Sequence, residues 1–242
     1  MSLPKIDVPI YELKLPSDGR EIKVRPFLVK EEKLLLMAAE SKDIDEIVKT
    51  TKQIINNCVI EPSDFNVDSL PFFDVDYLFI ALRAKSISET VEMTFTCNNV
   101  VDDQRCGHVF DAEVDISNCR IVKDDEIKDT IQLTSDVSVK MKYPSYAIMK
   151  SINDKDTILD KKIKIIVHCI NMIVKKGKVY TTKDYTKDEI RDFVENLTEE
   201  NYKKLEKFID NFPYFVVDLK KNCGRCGFEH NIEYKDFESF FY

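Results

Sequence analysis

The sequence predicts an α+β fold in which helical blocks are separated by short β-hairpins. Three observations predict it. Apolar residues recur at helical spacing in several long stretches. Elsewhere they alternate with polar residues across turns marked by proline, glycine or aspartate. A pattern of strand, cysteine, Cys-Gly and strand also occurs twice, at Val91–Ile116 and Val216–Tyr234.

Each element follows from its own stretch of chain. Ile10–Leu15 and Glu21–Arg25 alternate around Pro16-Ser17-Asp18-Gly19 and read as a β-hairpin. Val29-Lys30-Glu31-Glu32 opens a helix through about Glu40, with Leu34, Leu35 and Ala38 on its apolar side. A second helix fits Ile44–Cys58, where Ile44, Ile47, Val48, Ile54 and Ile55 approximate the 3.6-residue period. A third fits Val75–Ser86, after Pro71. Asp74 and Asp76 sit at its start, where acids favour the positive end of the helix dipole, and read as capping residues.

The middle of the chain reads as strands at Thr90–Cys97, Val109–Ile116, Thr130–Leu133 and Val137–Lys142, the last two turning at Ser135-Asp136. Helices return at about Thr157–Val174, Lys187–Asn196 and Glu199–Asn211, with Thr198 and either Asp184 or Thr186 as N-caps. Strands at Tyr214–Lys221 and Phe228–Tyr234 precede an aromatic tail, Phe237-Glu238-Ser239-Phe240-Phe241-Tyr242. The spacing of Phe237, Phe240 and Phe241 makes one apolar face, which either covers the neighbouring strands or docks on a partner. By this reading residues 1–88 form an N-terminal hairpin plus helices, 89–144 a β-rich segment, 145–213 a helical segment, and 214–242 the last strands and tail. One or two compact units are expected overall.

Composition narrows the function classes. With 43% hydrophobic and 10% aromatic residues, the 242-residue chain is not of the disordered class. Thirty-six Lys and Arg against 44 Asp and Glu give a net charge of −8. Wholesale capture of nucleic acid or anionic membrane is not expected, because phosphate affinity needs clustered basic residues. Apolar stretches such as Leu34–Ala39 fall far short of the ~20 residues that span a bilayer. The N-terminus has no hydrophobic run of signal-peptide type, so a soluble, cytoplasmic protein is expected. Only five glycines occur, and neither a P-loop nor a GxGxxG pattern is among them. No residues assemble a catalytic site by spacing, so neither an enzyme nor a small-molecule substrate is expected.

The seven cysteines carry the strongest chemistry. Cys223-Gly224-Arg225-Cys226-Gly227 is a knuckle: two intervening residues let one tight turn aim both sulfurs at a single ion, and the following glycine permits an unusual backbone conformation. A tetrahedral site needs four ligands, and Cys97 with Cys106-Gly107 is the natural second pair, each beside a predicted strand. The loop Asn98–Arg105 between them is polar and acidic, and bulging outward would leave both sulfurs at the site. The expectation is one structural zinc on Cys97, Cys106, Cys223 and Cys226, within a zinc-ribbon-like β subdomain formed by residues of about 90–117 and 214–235. Two other readings stay open, a redox pair and ordinary free thiols. A redox motif needs a strand-to-helix context, which is missing here.

His108 and His230 follow the knuckle cysteines and either replace a thiolate, stand behind one, or lie at the surface. Cys58, Cys119 and Cys169 read as single buried or half-buried thiols. His168 and Cys169 are adjacent in a helix and therefore do not face one another as a nucleophilic pair. Lys220, Lys221 and Arg225 around the second knuckle leave a zinc-ribbon nucleic-acid-binding protein as an alternative.

Several runs also resemble a known family. Leu3-Pro4-Lys5-Ile6-Asp7-Val8-Pro9-Ile10-Tyr11-Glu12-Leu13 and Lys23-Val24-Arg25-Pro26-Phe27-Leu28-Val29-Lys30-Glu31-Glu32-Lys33-Leu34-Leu35 are similar to the baseplate hub and hub-assembly proteins of T-even-type contractile-tailed bacteriophages. So are Phe73-Asp74-Val75-Asp76-Tyr77-Leu78-Phe79, Leu82-Arg83-Ala84-Lys85-Ser86, Met141-Lys142-Tyr143-Pro144-Ser145, and Cys223 to Cys226 with Asp236-Phe237-Glu238-Ser239-Phe240-Phe241. The resemblance covers nearly the whole chain. It implies a late phage protein of tail and virion assembly whose partners are baseplate hub proteins. It would act as an assembly factor, or chaperone, for the central hub, or alternatively as a structural subunit of the hub in the virion. Its location would be the host cytoplasm during infection, or the tail baseplate of the particle.

Overall fold

The structure, a computed structural model, describes residues 6–153 and 155–235. The chain opens with strands β1 (Tyr11–Lys14) and β2 (Glu21–Val24), helices α1 (Val29–Ser41) and α2 (Ile44–Cys58), strand β3 (Val59–Glu61) and helix α3 (Phe72–Ser86). Strands β4 (Thr90–Thr96), β5 (Val100–Val101), β6 (Gln104–Arg105), β7 (Val109–Asp115) and β8 (Arg120–Val122) follow. Then come β9 (Thr130–Gln132), β10 (Val137–Met141), α4 (Ile158–Cys169), β11 (Ile170–Lys175), β12 (Lys178–Thr181), α5 (Lys187–Glu195) and α6 (Glu199–Ile209). Strands β13 (Tyr214–Asn222) and β14 (Glu229–Tyr234) end the described chain. The fold is mixed α+β, built from several small antiparallel sheets and α-helices. The aromatic tail, Phe237 to Tyr242, lies outside the described residues.

The chain forms two compact units. The first comprises the described residues up to Val67, Phe73–Val122, and those from Tyr214 on. In it β1, β2 and β3 make one sheet, β4 pairs with β7, β5 with β6, and β13 lies between β14 and β8. Helix α2 starts on Asp43, whose carboxylate accepts from the Asp45 and Glu46 N–H groups, and it buries Ile54, Ile55 and Cys58. Helix α3 begins at Phe72, three residues before the expected Val75, and is buried on most sides. Asp74 lies in the first turn of α3, where the dipole reading put it, and also bonds outside the helix. It is fully buried, and its carboxylate accepts from the backbone N–H of Ser17, 2.9 Å away, and from the Ser17 hydroxyl. The acid thus ties the β1–β2 turn to α3.

The second unit comprises Asp68–Phe72 and the described residues of Lys123–Pro213. Its sheet runs β12-β11-β10-β9 and carries a core that includes Val139, Met141, Ile163, Ile166, Ile170, Leu205 and Phe208. Thr157, Thr186 and Thr198 cap α4, α5 and α6, so the choice between Asp184 and Thr186 falls to Thr186. One expected element is corrected here. The helix expected through Val174 stops at Cys169, and Ile170–Lys175 is a strand between β10 and β12. A two-residue turn at Lys176 and Gly177, with φ of 50° and 80°, returns the chain into β12. Paired on both sides, this β-branched run gains more as a central strand than as further helix turns.

Candidate metal centre

Four cysteines meet in the first unit. Cys97 directly follows β4 and Cys106 lies between β6 and β7, while Cys223 and Cys226 sit in the loop joining β13 to β14. Two hairpins therefore each present one pair at their tip.

The two tips are held by the same hydrogen bonds. The Cys97 N–H donates to the His108 carbonyl at 2.8 Å, and the Gly107 N–H donates to the Cys97 carbonyl at 3.1 Å. In the second loop the Cys223 N–H donates to the Phe228 carbonyl at 2.8 Å, and the Gly227 N–H to the Cys223 carbonyl at 2.9 Å. Gly107 and Gly227 occupy the left-handed region, with φ of 61° and 71°, where a side chain is strained. Each glycine follows the second cysteine of its pair. The extra residues of the first pair form the small β5–β6 hairpin, which turns through Asp102 and Asp103 at φ of 48° and 60°. That hairpin closes on itself through the Cys106 N–H and the Asn99 carbonyl, 2.8 Å apart, and so delivers Cys106 beside Cys97.

The four sulfurs all lie within 4.8 Å of one another. Cys97 Sγ is 3.7 Å from Cys226 Sγ, and Cys106 Sγ is 3.9 Å from Cys223 Sγ. A metal–sulfur bond of about 2.3 Å in a tetrahedron puts sulfurs about 3.8 Å apart, so the cluster is compatible with one zinc ion. These separations are far too long for disulfides, and all four cysteines are free. Cys97 and Cys223 are buried, Cys106 and Cys226 partly so.

Thiol acidity differs across the cluster. Burial pushes Cys97 up to about 12. The backbone hydrogen bond from Phe228 brings Cys226 down to about 6, with Asn99 acting in the same direction. Outside the cluster the thiols resemble Cys97 rather than Cys226. Burial raises Cys58 to about 11, and Cys119 and Cys169 to about 12, so all three remain thiols at neutral pH, and they are buried or half-buried as expected. His168 is lowered to about 4 by burial and by Lys142 and Lys187, and is neutral. An un-ionised thiol beside a neutral imidazole is not an activated pair.

Neither candidate histidine belongs to the four-sulfur set. His230 is buried and places Nε2 3.3 Å from Cys97 Sγ, standing behind that sulfur. His108 stacks on Phe110, with ring centroids 6.3 Å apart. Asn99 was not legible as a participant, yet its Nδ2 donates to Cys226 Sγ at 3.6 Å. Arg225 is exposed and donates to the Cys106 carbonyl at 3.2 Å, so it braces the tips.

The second unit holds a cavity of about 400 Å³ lined by Val137, Ile173, Tyr180, Tyr185, Ile190 and Phe193, among others. Its carboxylate, Glu189, is engaged by Thr186 at the start of α5. No helix among the described residues is long and apolar enough to cross a membrane.

The described residues thus define an α+β chain in which four cysteines cluster at metal-binding distance. A family model described as T4 bacteriophage base plate protein matches residues 8–242. The chain belongs to that family of phage baseplate proteins. No significant match was found among curated proteins or among solved structures.

Proposed function

We propose that this protein is an assembly factor for the central hub of the phage tail baseplate, working by protein–protein contact in the infected cell. The observation that carries the reading is the family match over residues 8–242, nearly the whole chain. The charge balance supports a chain able to exist free in solution, with 33% charged residues and a net charge of −8. Arg225, one of the three basic residues around the second knuckle, is committed to the Cys106 carbonyl, which weakens a phosphate-binding reading of that cluster.

Within this role Cys97, Cys106, Cys223 and Cys226 hold one structural zinc. Four thiolates leave no open position on the ion, and zinc supplies folding energy rather than chemistry in such a site. Metal analysis of protein made with zinc present should find one equivalent; far less than one overturns the site. The double change Cys223→Ser with Cys226→Ser should lower both metal content and thermal stability.

The assembly role is tested in infected cells. Loss of the protein should stall hub formation while other tail parts still form, and the protein should co-purify with hub proteins. Normal hubs in its absence would remove the role. Recovery of the protein in stoichiometric amount from purified particles would replace it with a structural subunit of the hub.

A further inference from the structure

The side chains behind the sulfurs are arranged across the two hairpins, not within them. His230 stands on β14, in the second hairpin, and its Nε2 is 3.3 Å from Cys97 Sγ of the first. Asn99 belongs to the first hairpin, and its Nδ2 is 3.6 Å from Cys226 Sγ of the second. The pair of sulfurs so addressed, Cys97 and Cys226, is itself one of the close cross-hairpin pairs, at 3.7 Å.

The geometry points to a reciprocal brace: Asn99 and His230 each donate an N–H to a metal-bound thiolate of the opposite hairpin and so hold the ion between the two tips. The inference rests on the zinc reading proposed above. A metal-bound thiolate can only accept, which leaves the donor role to the amide of Asn99 and fixes the hydrogen of His230 on Nε2. Four thiolates around a divalent ion carry a net charge of −2, and a buried charge needs donors aimed at it. His230 is held for this purpose between Phe110 and Phe228, with ring centroids 5.4 and 5.0 Å away. Asn99 is held by its own carbonyl, which accepts the Cys106 N–H at 2.8 Å.

The brace also explains the length of the first cysteine loop. A two-residue spacer closes a knuckle, as Gly224-Arg225 does, and what it sends across, the Arg225 guanidinium, ends on the Cys106 carbonyl and not on a sulfur. The segment Asn98–Arg105 folds as its own hairpin, and its first turn sets Asn99 against Cys226. Asn99 and His230 are positioning residues for the metal, not ligands.

The test uses the full chain loaded with zinc, with metal release followed by a chromophoric chelator. Asn99→Ala and His230→Ala should each bind one zinc and lose it about 10-fold to 100-fold more readily than the parent. Asn99→Asp, which keeps the shape but turns an acceptor and a charge toward the sulfur, should be worse than Asn99→Ala. His230→Gln, which retains a donor, should recover part of the loss. In cobalt-loaded protein the thiolate-to-metal absorption band should shift in the alanine variants. Parent-like release and spectra in Asn99→Ala, Asn99→Asp and His230→Ala, each with one zinc bound, overturn the brace and leave the metal site standing. A parent chain that binds no zinc overturns both. If His230→Ala fails to fold, the half-buried Asn99 variants decide the matter alone.

Discussion

Two buried carboxylates of the first unit respond to acid in opposite directions. Burial is the first influence on Glu31 and would raise its pKa. The Arg25 guanidinium, 3.0 Å away, and the Leu28 N–H, 2.7 Å away, override it and hold the carboxyl below its usual value. Its stabilisation is therefore present above the unfolded carboxylate range and fades as pH falls through the lowered folded value. Asp74 is raised by burial, which outweighs its hydrogen bonds from Ser17. The native state then takes up its proton more readily than the unfolded chain, so this contribution grows as pH falls. Asp74→Asn keeps an oxygen for the Ser17 N–H and turns an amide N–H toward the Ser17 hydroxyl, whose oxygen can accept, so it should change neutral-pH stability little. Asp74→Ala strands both Ser17 groups and should cost about 1–3 kcal/mol. Denaturant titrations at neutral and acid pH check both: relative to Asp74→Asn, the parent should gain stability on acidification, and a parallel pH response would show that Asp74 is not the titrating group. At this scale the sequence displayed the four cysteines that cluster, most plainly the second pair, because Cys-x-x-Cys-Gly encodes its own turn. It hid Asp74 and Asn99, because their partners are Ser17 and Cys226, far away in the chain.

Elements whose signal is local were legible, and those set by partners were not. Helix α2 matched its expected range because its apolar period, its Asp43 cap and its end all lie in one stretch of sequence. The hairpin β4–β7 was legible from alternation, Thr198 as a cap, and Thr186 as one of two candidates. Strand β11 was hidden in an apolar run continuous with α4, where neither period dominates. The usable clue was Lys176-Gly177, a two-residue turn between Val174-Lys175 and Lys178-Val179. That turn supports a sharp expectation. No atom lies within 4 Å of where a Gly177 side chain would begin, so Gly177→Ala meets no clash and pays only for its φ of 80°. The cost should be about 1–2 kcal/mol in denaturant unfolding, and Gly177→Asn should cost less, since asparagine tolerates the left-handed region. Equal losses for alanine and asparagine would mean that the backbone conformation is not what glycine supplies here.

At the scale of the whole chain, the long segment of the second unit, Lys123–Pro213, leaves and re-enters the first at one pair of strands, while the short stretch Asp68–Phe72 is a separate contribution to that unit. Strand β8 ends at Val122 and β13 begins at Tyr214, and these two residues are direct antiparallel partners, followed by Ile121 with Phe215 and Arg120 with Val216. The chain therefore leaves the first unit and re-enters it at adjacent points, the arrangement in which an inserted domain costs its host least. Arg120 reinforces the junction by reaching Asp218 at 2.9 Å and Glu233 at 3.1 Å, although an exposed cluster of this kind contributes modestly. Because residues directly opposite in an antiparallel pair lie about 4.5–5.5 Å apart, an Asn-Gly turn can replace residues 123–213 and join β8 to β13 as a hairpin. The shortened protein should fold, show one cooperative transition, and retain the metal stoichiometry of the full chain, since all four cysteines and both bracing side chains lie in the first unit. Circular dichroism and metal analysis of the shortened chain check this. An unfolded product that still carries an intact Cys97–Cys106 and Cys223–Cys226 set would show that the first unit depends on the second for its fold, and that the inserted segment is part of the host rather than a domain carried by it.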